Sequence, residues 1–140
     1  MREILIVGNE TLGGEALMHQ IRHTAASGPC RFHLVVPATP VQHRFTISEG
    51  ESVGAARQRL DEATATLQNE GLEVTGEVGD HNPLLAVEDA IRHHRFDEVI
   101  VSTLPLGVSR WLKMDLPTRI RRHLDLPVTH VEAQTEAHRA

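Results

Sequence analysis

The sequence predicts an α/β domain: a doubly wound, five-stranded parallel sheet in the order 3-2-1-4-5, with helices on both faces. Three observations predict it. Short apolar runs alternate with amphipathic stretches, Gly and Pro punctuate the joins, and the third run alternates polar with apolar where the others are continuous. At 140 residues the chain has room for one core, so 1–132 reads as a single domain and 133–140 as a frayed tail.

Glu3–Val7 (EILIV), ended by Gly8, has the continuous apolarity of a strand buried on both faces. In GGEALMHQIRHTAASG, Ala16, Leu17, Ile21 and Ala25 recur at helical spacing, and Gly28-Pro29 stops the helix. Phe32–Val36 (FHLVV), ended by Pro37, is the second buried strand. Residues 38–50 lack periodicity and read as a mobile loop. Over 51–70, Val53, Ala56, Leu60, Ala63 and Leu67 form one stripe of a long helix that Gly71 stops.

LEVTGEVG alternates as a half-exposed edge strand does. Asn82-Pro83 opens a helix, with Asn as N-cap and Pro at the first helical position, and its stripe is Leu84, Val87, Ala90 and Ile91. DEVIVS (Asp97–Ser102) is the fourth strand. STLPLGVSRWLKMDLP then runs from strand exit through a Gly/Pro-bearing loop to a helix start at Asp115-Leu116-Pro117, and Leu126–Glu132 (LPVTHVE) is the fifth strand. With the third strand at an edge, the switch point falls between strands one and four, between the loops Gly8–Gly14 and Ser102–Arg110.

Composition narrows the function. Net charge is −5, from 14 basic and 19 acidic residues, which argues against a nucleic-acid or anionic-membrane partner. No apolar run approaches a membrane span, Met-Arg-Glu leads straight into a strand, and the single cysteine, Cys30, suits a reducing cytoplasm. Arg110, Lys113, Arg119, Arg121 and Arg122 cluster near the switch-point loop as a solvated helix face or an anion-facing rim.

Ten histidines invite a metal reading. His19 and His23 share a helix face, but no Cys or carboxylate stands at a companion spacing, and His93-His94 and His123/His130 are no better, so no metal site is expected. No G-x-S-x-G elbow or Cys/His pairing supports nucleophilic catalysis, and the chain reads as non-enzymatic.

LEVTGEVGDHNPLLAVEDAIRHHRFDEVIVST resembles the universal stress protein domain. The matching pieces are Gly79-Asp80, Ala86 to Ile91, Asp97 to Ser102 and Pro127-Val128-Thr129-His130-Val131, and ILIVGNETLGGEAL is similar to the family's opening strand, turn and helix. The resemblance implies an adenine nucleotide alpha-hydrolase-like fold, and it alone suggests a stress response. It departs where nucleotide-binding members carry Gly-x2-Gly-x9-Gly-Ser/Thr. Those positions fall on Ser102, Pro105, Asp115 and Leu116 without a gap, or the final pair on Met114-Asp115 when counted from Pro127. Asp115 as an N-cap would place its own carboxylate at the helix-start anion site. Gly8-Asn9-Glu10 stands where the family has an acidic residue, so an ATP site of the family type is expected to be lost.

What remains at the switch point are the candidate ligand contacts Gly8, Asn9, Glu10, Pro37, Ser102, Thr103, Gly107, Ser109 and Arg110. Trp111, the only tryptophan, either covers a planar ligand or packs against the sheet, and packing is favoured. The resulting expectation is a regulatory or interaction domain with an altered pocket and an unknown protein partner. The alternative is an adenine-nucleotide switch for ATP, AMP or cyclic AMP that uses a rearranged phosphate loop. A nucleotide hydrolase ranks third. The resemblance, with the exposed edge of the last strand, also implies a homodimer through Leu126 to Glu132.

Overall fold

Apolar runs too short for helices and bounded by turn residues form strands, and in this chain they pair side by side in parallel. A computed structural model describes residues 1–39, 49–105 and 109–133. The strands are β1 (Arg2–Val7), β2 (Cys30–Pro37), β3 (Val74–Gly79), β4 (Glu98–Thr103) and β5 (Val128–Glu132), and the helices are α1 (Glu15–Ala26), α2 (Glu49–Asn69), α3 (Pro83–His93), α4 (Arg110–Lys113) and α5 (Leu116–Leu124). The sheet order is β3-β2-β1-β4-β5, as expected, and every pairing is parallel.

Side-chain alternation along each strand divides the core in two. Ile4, Ile6, Phe32, Leu34, Val36 and Ile100 face α1 and α2. Leu5, Val7, Val35, Val99 and Val101 face α3 and α5. Central strands β1, β2 and β4 are therefore mostly buried on both faces, while β3 and β5 at the edges are mostly half-buried or exposed.

The stops follow the sequence. Gly71 takes φ +86°, and its N–H and that of Leu72 return to carbonyls of the last turn of α2. Asn82 Oδ1 accepts from Leu84 N at 3.0 Å and Leu85 N at 3.4 Å, capping α3. Two stripes are corrected in detail. On α2, Val53 is 41% exposed and Ser52 is buried in its place, because the two positions flank the stripe's axis and local packing chooses between them. On α3, Ala86 joins Val87 and Ala90 inside while Leu84 and Ile91 are only half buried. Part of the expected mobile loop, 40–48, and most of the expected tail, 134–140, lie outside the described residues. No described helix is long and apolar enough to cross a membrane.

Candidate functional site

The cleft at the carboxyl ends of β1 and β4 is shaped by what the two strand exits must bring together. Val7 and Val101 are register partners, so the chain leaves both strands at one level, and the following loops diverge toward opposite halves of the sheet. Gly8 makes close approach possible: a Cβ there would stand 3.1 Å from Leu12 Cδ2 and 3.4 Å from Ser102 Cβ. A side chain there would crowd Leu12 and Ser102 beneath the cleft.

Asn9 is a buried brace. Its Nδ2 donates to the Pro37 carbonyl at 2.7 Å and to Thr39 Oγ1 at 2.8 Å, and its Oδ1 accepts from Arg59 Nη1 of α2 at 2.6 Å. One side chain thus ties the exits of β1 and β2 to α2. Pro37, expected as a ligand contact, gives its carbonyl to this brace.

The candidate hydroxyls are buried and engaged. Ser102 Oγ lies 2.5 Å from Thr11 Oγ1, Thr103 Oγ1 lies 2.8 Å from His130 Nε2, and Ser109 Oγ accepts from Leu112 N at 3.1 Å. A hydroxyl that accepts from an amide still has its O–H to give, and a hydroxyl pair uses only one of its two O–H groups between its members. Ser109, and the Thr11–Ser102 pair, can each still donate to a bound group.

Between β4 and α5 the structure departs from expectation. The sequence between Ser109 and Met114 was expected as loop, yet Ser109 caps a one-turn helix, α4. Asp115 then links α4 to α5 in the left-handed region, φ +56°, ψ +45°, and makes no side-chain cap hydrogen bond. Its carboxylate is exposed and does not line the cleft. The expectation that Asp115 fills an anion site is overturned: its backbone is left-handed rather than extended as in a side-chain N-cap, and its carboxylate bonds none of the first amides of α5.

The cleft encloses about 210 Å³. Asn9, Glu10, Ser102, Thr103, Ser109 and Arg110 line it, as expected, whereas Gly8 and Pro37 do not, and Gly107 lies outside the described residues. Reasoning from sequence missed Thr11, Thr39, His81, Pro83, Leu104 and Met114. His81 and Pro83 follow from the same rule that located the others, since the loop after β3 also leaves the carboxyl edge. Trp111 serves both readings, lining the cleft while packing on the α3/α5 core. Glu10 and the exposed Arg110 place one negative and one positive charge at the rim, with His81 nearby.

These features define a class: a doubly wound parallel α/β domain with an open, largely apolar cleft at its switch point. The chain is similar in structure to a universal stress protein family protein from Arabidopsis thaliana, solved with AMP bound, at TM-score 0.60 and 8% identity over 98% of this chain and 95% of that one. No family model and no curated protein sequence matches the chain. The likeness is one of fold.

Proposed function

We propose that this is a universal-stress-protein-like regulatory domain that binds an adenine nucleotide with few phosphates, of the AMP class, and does not turn it over. The observation that carries this reading is the open switch-point cleft, lined by Trp111 and Met114, which offer an apolar wall, and by Arg110 and Ser109, which offer polar donors. A purine fits the apolar wall, and a single phosphate fits one guanidinium and one hydroxyl donor. A triphosphate is less well matched, because Glu10 adds a negative charge and because Ser102, Pro105, Asp115 and Leu116 replace the family's phosphate-binding glycines and hydroxyl. The AMP in the Arabidopsis neighbour supports the same ligand class.

The Thr103–His130 hydrogen bond favours a second reading, slow hydrolysis with His130 as base. Thr103 is only 2% exposed, which disfavours it as a nucleophile.

The sole tryptophan supplies the test. Trp111 fluorescence and melting temperature would be followed while adenosine, AMP, cyclic AMP and ATP are titrated, in wild type and in Arg110→Ala. Saturable AMP binding weakened about tenfold by Arg110→Ala, the worth of a charge-assisted hydrogen bond, supports the reading. A flat response to every ligand overturns it and leaves protein interaction as the function of the fold. Turnover of a nucleotide that disappears in Thr103→Val would favour the hydrolase.

A further inference from the structure

His33 interrupts the apolar run of β2 and is only 8% exposed, on the sheet face covered by α3. Its Nδ1 lies 2.7 Å from Thr75 Oγ1 and its Nε2 lies 2.8 Å from Glu77 Oε2, both on β3. His94, at the end of α3, brings its ring to 4.8 Å from the His33 ring, centroid to centroid, and Phe96 stacks on His33 at 5.8 Å. One ligand atom from each of His33, Glu77 and His94 lies within 4.8 Å of the other two.

We propose that His33, Glu77 and His94 form a binding site for a borderline first-row divalent cation such as Zn²⁺, remote from the switch-point cleft. Two imidazoles and one carboxylate are a donor set for Zn²⁺ and its neighbours rather than for Mg²⁺ or Ca²⁺, and three protein ligands leave a coordination position for water. The Thr75 hydroxyl engages Nδ1 of His33, which orients the ring and leaves Nε2 facing Glu77.

The metal-free geometry needs a modest adjustment. Tetrahedral ligands about 2.0–2.1 Å from a zinc ion stand roughly 3.4 Å apart. The His33–Glu77 contact of 2.8 Å must therefore open slightly, and the 4.8 Å span must close by roughly 1.4 Å. The buried His33 is the fixed point, while His94 is exposed and the Glu77 side chain is 38% exposed, so both can move and the ion has a way in. For Nε2 to ligate the ion, its hydrogen bond to the Glu77 carboxylate must be given up. A neutral imidazole that ligates through Nε2 carries its one proton on Nδ1, from which Thr75 Oγ1 accepts. Bound metal would clamp the β2–β3 edge to the turn between α3 and β4.

The test uses the full chain, free of any histidine tag and stripped of metal. Zn²⁺ would be titrated calorimetrically into wild type, His94→Ala, Glu77→Gln and the double variant His19→Ala/His23→Ala, with Mg²⁺ and Ca²⁺ as comparison ions. The two ligand variants alter exposed or part-exposed side chains, and matching melting temperatures in EDTA establish that they fold. The expected result is one equivalent of Zn²⁺ bound, a raised melting temperature, and affinity reduced at least tenfold in His94→Ala and Glu77→Gln but unchanged in the α1 double variant. Absence of binding in wild type overturns the proposal. So does binding that survives both ligand variants, or that is lost only with His19 and His23.

Discussion

Thr11 Oγ1 and Ser102 Oγ lie 2.5 Å apart, and this contact joins the loop after β1 to the end of β4 at the switch point. Both residues are buried, at 8% and 2% exposure. Removing one hydroxyl strands the other. Ser102→Ala is expected to cost about 1–3 kcal/mol in urea unfolding, whereas adding Thr11→Val to it costs little more. A double-mutant cycle should return a coupling of about 1 kcal/mol. Strict additivity would mean that the two hydroxyls do not share a hydrogen bond.

Gly79, at the end of β3, lets α3 sit directly on the sheet. A Cβ there would stand 2.8 Å from Ala86 Cβ and 3.2 Å from Val35 Cγ1. Gly79→Ala is therefore expected to lower stability by about 1–3 kcal/mol through overpacking. The companion change Ala86→Gly should recover part of the loss, and no recovery would place the strain elsewhere.

Asp115 tests the reading of the linker between α4 and α5. Its left-handed backbone suits glycine better than an L-residue with a side chain. Asp115→Gly is expected to leave thermal stability unchanged or raise it by about 1 kcal/mol, and to leave AMP affinity unaltered because the carboxylate is outside the cleft. A marked gain in nucleotide affinity would restore the idea of a carboxylate that blocks the site.

Arg22 of α1 and Glu70, just past the end of α2, pair in a fork, with Nε and Nη2 2.9 Å from the two carboxylate oxygens. The hydrogen bonds and the positive charge hold the Glu70 carboxyl below its usual value, and the Arg22 guanidinium is correspondingly raised. A lowered folded-state value means that the stabilisation is complete above the unfolded carboxyl's titration and is lost as pH falls through the folded one. Glu70→Gln should therefore lower the melting temperature slightly at pH 7 and not at all near pH 2, with high salt shrinking the difference. An equal effect at both pH values would mean that the ion pair is not its source.

β5 is an edge strand among the described residues, and this bears on assembly. We propose that two chains pair through this strand, whose outward positions Thr129 and His130 are exposed. Light scattering should then find a dimer, and Thr129→Glu, which sets like charges close together across the two-fold, should shift it to monomer. A monomeric wild type at high concentration would sink the idea.

The limits of the sequence are as instructive as its reach. Asn9 was recognisable as lying at the strand exit, but its brace to Pro37, Thr39 and Arg59 joins three separate parts of the chain. The signal for α4 was present in Ser109 as a cap three residues before Leu112, and the adjacent Gly and Pro outweighed it. The left-handed backbone of Asp115, which keeps its carboxylate off the α5 amides, depends on how α4 joins α5, and no local pattern reports that.

What the sequence by itself determined was the order and type of the five strands and of the four longer helices, the edge status of β3 and the location of the switch point. Burial on one face or two is written directly into the apolar period, and parallel crossovers leave few topologies to choose from. Only the tertiary structure decided which side chains meet: Thr11 with Ser102, Trp111 with the cleft, and His33 with Glu77 and His94. Such contacts depend on strand register and on the path of each loop, and these are set by packing across the whole sheet.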